Sequence, residues 1–269
     1  MEFETYYGMD YNPFTKGIDS TRLYQSNDYR QMASRLQFLI RTKGIGLFLG
    51  EPGTGKTASL RSVLDGLNES RYRVVYIRLT TVTPIDFYHA LNDALGLEES
   101  SRKSVMFAQI QHEMERMASD HVSVILAIDE CQYLTVQVLK EFVMLMNFAY
   151  DSVDCCTLIL MGQPEALRTL RAKSLEPFKQ RINMNYFLTG MDEEEVRGYV
   201  LDRLRLVHCS TDLFDDECYH TLHSLMRGSA RLLNNLICKS LQIGMTREQR
   251  HITTEIVMAA NEEVSAVYG

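Results

Sequence analysis

Gly50-Glu51-Pro52-Gly53-Thr54-Gly55-Lys56-Thr57 is the stretch on which the reading of this chain turns. It satisfies G-x-x-x-x-G-K-[ST], a loop built to hold phosphate. The glycines let the backbone fold tightly enough to aim several N–H groups at a β-phosphate. Lys56 supplies a point charge for the β and γ oxygens, and the Thr57 hydroxyl suits Mg2+. A chance match in a chain of this length is on the order of 1 in 100. An ordinary Gly-rich turn is the competing reading, and the flanks argue against it. Gly44-Ile45-Gly46-Leu47-Phe48-Leu49 reads as a buried strand entering the loop, and the residues from Lys56 to Leu67 read as a helix leaving it. The helix dipole adds positive potential at the same point. Gly50 through Ala58 are therefore the expected nucleotide contacts.

Working outward, short apolar runs alternate with helical stretches. The expected strands are 45–49, 74–79, 122–128, 157–161 and 182–187. Between them run stripes at helical spacing, Met106, Ile110, Met114 and Met117, then Leu139, Val143, Met146 and Tyr150; these read as core. Such alternation predicts an α/β domain, a parallel sheet covered on both faces. An aromatic, turn-rich leader (Tyr6, Tyr7, Tyr11, Phe14) occupies 1–28 and is expected to fold onto the next domain. The core spans 29–188, opening with a short stripe at Leu36, Leu39 and Ile40. Beyond Leu188 the strand signal stops. Asp192 caps a helix with an acidic first turn, Val196, Tyr199, Val200 and Leu204 share one face, and 212–227, 228–244 and 253–265 read as further helices. Residues 189–269 are an all-helical subdomain.

Val122 to Ile128 is an apolar strand that stops on Asp129 and Glu130. An acid is tolerable there at a strand's carboxyl end, where open α/β sheets bind ligands. Asp129 is the candidate Mg2+ ligand together with Thr57, and Glu130 the group that orients or deprotonates the attacking water. A plain acidic turn is the alternative. The next strand ends at Gly162-Gln163-Pro164-Glu165, making Gln163 the candidate γ-phosphate sensor, with a helix-initiating turn at Pro164 competing or coexisting. Arg181, just before the fifth strand, is the candidate arginine finger for a neighbouring subunit. Lys179 and Arg171 are its rivals, and a surface salt bridge the bland reading. Arg231, near a helix start in the C-terminal subdomain, could reach back to the nucleotide.

The 269 residues are 45% apolar, enough for a core and a smaller appendage. No apolar run approaches the ~20 residues of a membrane span, and Met1-Glu2-Phe3-Glu4 lacks the basic start of a signal peptide, so a cytoplasmic protein is expected. Six cysteines without a C-x-x-C pair read as small buried hydrophobes rather than a zinc site. A net charge of −7 and a pI near 5.6 argue against a constitutively basic nucleic-acid binder, though not against a basic stripe formed on assembly.

Taken in order, the leader Tyr7-Gly8-Met9-Asp10-Tyr11-Asn12-Pro13-Phe14, the loop, Ile128-Asp129-Glu130-Cys131-Gln132, Met161-Gly162-Gln163-Pro164-Glu165, Gln180-Arg181-Ile182 and Gly228-Ser229-Ala230-Arg231-Leu232 resemble an AAA+ ATPase of the ExeA/GspA-type family. The resemblance covers nearly the whole chain, with Cys131 standing where the family more often has Ala. It implies a P-loop AAA+ module with sheet order 5-1-4-3-2, a helical lid, and ATP and Mg2+ bound between them. It also implies assembly into a ring or helical filament, and roles for Lys56, Thr57, Asp129, Glu130, Gln163, Arg181 and Arg231. The secretion branch of that family carries a membrane span and a wall-binding domain after this module. A chain ending at Gly269 with neither is expected to be similar to the TnsC and IstB target-selection ATPases, which bind duplex DNA and act with a transposase. In that reading Arg78 to Thr83 and Lys103 are the candidate DNA contacts. The alternative is a secretion or membrane-assembly ATPase working on protein partners. A scaffold that binds ATP but barely turns it over, or a replication-initiator or helicase-loader role, ranks lower.

Overall fold

The computed structural model describes residues 2–15, 17–78, 83–148 and 155–268. They form two compact units, one of Met1–Arg30, Glu51–Ala58 and Thr189–Gly269, the other of Gln31–Gly50 and Ser59–Leu188.

The second unit is built on five parallel strands, β1 (Gly44–Gly50), β2 (Tyr72–Arg78), β3 (Ser123–Asp129), β4 (Cys156–Gly162) and β5 (Ile182–Leu188), in the order β2-β3-β4-β1-β5. This is the expected order, and each expected strand lies within a residue or two of the observed one; Leu79 falls outside the described residues. Every residue of β1 and β4 is buried, as a strand covered on both faces requires. Period-two alternation sends Leu47, Leu126, Ile128, Leu158 and Leu160 to one side and Phe48, Ile125, Ala127, Ile159 and Met161 to the other. The first face is covered by α4 (Pro84–Leu95), α5 (Lys103–Ser119), α6 (Val136–Leu145) and the short α7 (Ala166–Leu170) and α8 (Glu176–Lys179). The second takes Met32, Leu36, Leu39 and Ile40 of α2 (Asn27–Thr42) and Leu60 and Val63 of α3 (Lys56–Asp65). The stripe Met106, Ile110, Met114 is fully buried, while Met146 lies just past the end of α6 and Tyr150 is outside the described residues.

The other unit contains α1 (Phe3–Tyr7), α9 (Glu193–Leu206), α10 (Asp216–Met226), α11 (Ala230–Thr246) and α12 (Thr254–Tyr268). Asp192 and Glu195 form a reciprocal capping box at the start of α9, as the acidic first turn implies. Its apolar face joins Leu222, Leu233, Ile237, Leu241 and Val257 in one core. The leader, expected to fold onto the α/β core, contributes Met9 and Phe14 to this helical core instead.

Cys131, Cys155, Cys156, Cys209 and Cys218 are buried thiols. Burial pushes the Cys218 thiol up to about 11, so it behaves as a hydrophobe rather than a nucleophile.

Glu141 is an acid buried in the α/β unit, only 8% exposed. It accepts from the hydroxyl of fully buried Tyr88 at 3.0 Å and pairs with the Lys103 ammonium. Burial, and then the adjacent carboxylate, hold the Tyr88 phenol well above its usual range. Lys103, read as a DNA contact, pairs with Glu141 and so ties α5 to α6; residues 79–82 of the same expectation lie outside the described residues. Lys103→Met should lower stability by about 1–2 kcal/mol, less than for a fully buried pair because the lysine side chain is 43% exposed. Urea unfolding measures this, and an unchanged midpoint would show that Tyr88 alone satisfies Glu141.

Candidate nucleotide site

Parallel strands place all their carboxyl ends at one edge of the sheet. Gly50 of β1, Gly162 of β4 and Asp129 of β3 end three neighbouring strands there. The loop that leaves β1 turns on Gly53 and Gly55, whose φ angles of 86° and 95° are left-handed and suit glycine alone. A Cβ at Gly53 would also strike the Ser229 hydroxyl. Lys56, 8% exposed, donates from Nζ to the Glu51 carbonyl at 2.9 Å, and Thr54 donates to the same carbonyl at 2.9 Å. Lys56 and Thr57 open α3, so the helix N-terminus and the loop amides converge.

Within its own compact unit, this loop meets the start of α11. Ser229 caps the helix by accepting from Leu232 N, and the Arg231 backbone N–H donates to the Gly53 carbonyl at 3.4 Å. Arg231 is thus next to the phosphate loop, with an exposed side chain.

At the end of β3 the two acids are held differently. Asp129, 4% exposed, accepts from the Tyr76 hydroxyl at 2.6 Å on Oδ2 and from the Glu130 backbone N–H at 2.9 Å on Oδ1. Glu130 has a left-handed backbone, φ 56° and ψ 42°, which costs an L-residue about 1–2 kcal/mol. Non-glycine residues in that region cluster at functional sites. Its Oε2 accepts from Gln132 Nε2 at 2.7 Å, and Gln132 Oε1 accepts from the Gln163 backbone N–H at 3.0 Å. Asp129, Glu130 and Gln163 are thereby brought together, through a residue the sequence reading left without a role. Tyr76 was missed too. Its one signal was a tyrosine two residues before the end of a strand pointing at the same sheet edge. Pro164 lies in the turn before α7, which starts at Ala166 rather than at the proline.

Arg181 stands elsewhere. It precedes Ile182, which pairs with Ile45 at the amino end of β1. Five strand residues, about 17 Å, separate that end from Gly50. Lys179, its rival, pairs with Glu176 at 2.6 Å, and Arg171 ends α7.

Residues 40–170 match the AAA domain family. Cdc6p from Pyrobaculum aerophilum superposes with a TM-score of 0.72 at 18% identity, covering 94% of this chain and 70% of that one. The fold is AAA+. Orc1 of Aeropyrum pernix in complex with DNA (TM-score 0.62, 18% identity, 88% and 64% covered) shares the AAA+ fold. So does Drosophila ORC bound to DNA (TM-score 0.68, 16% identity, 92% and 63% covered). In sequence, the chain is 29% identical to general secretion pathway protein A of Aeromonas hydrophila over 98% of its own length; it spans 49% of that relative. Among the described residues no helix is long and apolar enough to cross a membrane.

Proposed function

We propose that this chain is a Mg2+-dependent ATPase, converting ATP to ADP and phosphate. It self-assembles in its ATP state and engages duplex DNA as a target-selection partner of a transposase. The observation that supports the ATPase most is the glycine-turned loop on β1 with the Asp129–Glu130 pair ending β3 at the same sheet edge. The donors fit the ligands. Loop amides, a buried ammonium and a helix N-terminus suit a polyphosphate. The Thr57 hydroxyl and the Asp129 carboxylate are hard oxygen donors of the kind that would suit Mg2+. When bound, Mg2+ neutralises charge on the β and γ oxygens. Tyr76 and the Glu130 amide orient Asp129, one donor to each oxygen. Glu130 accepts the water's proton, and Gln163 and Arg231 are the candidate contacts to the γ-phosphate.

Two structural relatives carry DNA, which supports the DNA part of this reading. The transposase partner rests on the expected similarity to the TnsC and IstB target-selection ATPases alone. A second reading, an ExeA/GspA-type ATPase acting on protein partners in secretion or membrane assembly, is favoured by the similarity to general secretion pathway protein A.

Anisotropy of a labelled random-sequence duplex separates the two. Titrated at fixed salt, the protein should bind with ATP and not with ADP or without nucleotide, and Lys56→Ala should abolish this binding along with ATP affinity. No binding in any state, with ATP hydrolysis intact, would set aside the DNA role in favour of the protein-partner reading. Normal ATP affinity in Lys56→Ala would overturn the phosphate-loop assignment itself.

A further inference from the structure

We propose that Gln132 is a positioning residue for hydrolysis, holding the Glu130 carboxylate through a bridge to the end of β4; this rests on the ATPase reading above. The bridge uses both ends of one amide. Nε2 donates to Glu130 Oε2 at 2.7 Å, and Oε1 accepts from the Gln163 backbone N–H at 3.0 Å. The two partners demand opposite chemistry, a donor toward the carboxylate and an acceptor toward the N–H. Glutamine satisfies both in one orientation only. A glutamate here could keep the Gln163 bond but would face Glu130 with a second negative oxygen. A methionine fills the same length and makes neither bond.

The surroundings hold the amide in place. A Cβ on Gly162 would lie 2.5 Å from Gln132 Oε1 and 2.7 Å from Cys131 Sγ, so the absent side chain leaves the room in which the amide sits. Cys131, 5% exposed, borders the same space. The bridge engages one Glu130 oxygen, which leaves Oε1 to orient a water. It also gives Glu130 a direct tie to Gln163. A displacement at Gln163 on binding or losing a γ-phosphate passes to the acid through one side chain. The left-handed backbone of Glu130 persists only where surrounding contacts hold it, and the bridge is one such contact. A misplacement of about 1 Å at a catalytic group can cost about 100-fold in rate.

The test compares Gln132→Glu, Gln132→Met, Glu130→Gln and the double variant Glu130→Gln/Gln132→Met. Phosphate release gives kcat and KM, and a fluorescent ATP analogue gives affinity. Gln132→Glu and Gln132→Met should each lower kcat by about 10- to 100-fold with ATP affinity unchanged. The double variant should be no slower than Glu130→Gln alone, because a residue that acts through Glu130 has nothing left to position. Gln132→Glu is close in shape and keeps the β4 bond, so it remains informative should Gln132→Met fail to fold. Wild-type kcat in Gln132→Glu overturns the proposal. So does a fall in kcat matched by weaker ATP binding, which would assign Gln132 to the scaffold. A double variant slower still would show that Gln132 acts apart from Glu130 and overturn it as well. Failure of the ATPase reading looks different: the wild-type chain, or Glu130→Gln, would show no measurable dependence of hydrolysis on this site.

Discussion

Glu130→Gln should bind ATP as the wild type does and hydrolyse it about 100- to 10,000-fold more slowly, the range lost with a general base. The substitution is isosteric, and the carbonyl of the new amide can still accept from Gln132 Nε2, where Glu130 accepts at 2.7 Å. The left-handed turn and the neighbouring Asp129 bonds involve backbone and a different carboxylate, so they persist. What disappears is the ability to take a proton from water. A variant arrested with ATP in place should also keep its assembled form, visible by light scattering as a species that no longer decays as ATP is consumed. Hydrolysis at the wild-type rate would assign water activation to another group and strip Glu130 of its role.

Arg181→Ala should bind ATP normally, hydrolyse it about 1000-fold more slowly or worse, and recover activity when mixed with Lys56→Ala. The direction of β1 and β5 is the reason. Arg181 precedes the first residue of β5, and the phosphate loop follows the last residue of β1, a parallel neighbour. Arg181 and Gly50 therefore lie at opposite ends of the paired β5 and β1, about 17 Å apart, which is why the proposed arginine finger is expected to act on another subunit. In the mixture, Lys56→Ala subunits lack the ammonium for their own nucleotide but offer an intact Arg181 to Arg181→Ala subunits that hold ATP. Absence of recovery, or loss of ATP affinity in Arg181→Ala, would place the residue in its own subunit's scaffold. Lys179→Ala serves as a control and should leave the rate unchanged, since that side chain lies in an exposed i,i+3 pair with Glu176.

Much of the fold was readable because burial on both faces leaves a simple mark. β1, β3 and β4 carry dense apolar runs, and their carboxyl ends appear where Gly50, Asp129 and Gly162 break them. The caps of α9 were equally legible, since Asp192 and Glu195 act within one turn. Strand order was a different matter. Local patterns say that strands exist and that they are parallel, whereas the order came only through the resemblance.

The linear order of residues was enough to specify the phosphate loop, the acid pair, the strand–helix alternation and the buried stripes. Each of these depends on neighbours within about ten positions, through dihedral preference and side-chain period. Partners distant along the chain were settled by packing. Lys103 meets Glu141 across 38 positions, Tyr76 reaches Asp129 across 53, and Met9 and Phe14 join helices that begin near Glu193. The Gln132 bridge is the clearest case. Its two anchors are two and thirty-one residues away, and they meet only because β3 and β4 lie side by side in parallel register. Hydrogen bonds are short-ranged and directional, so a side chain acquires its partner only once the backbone has closed around it.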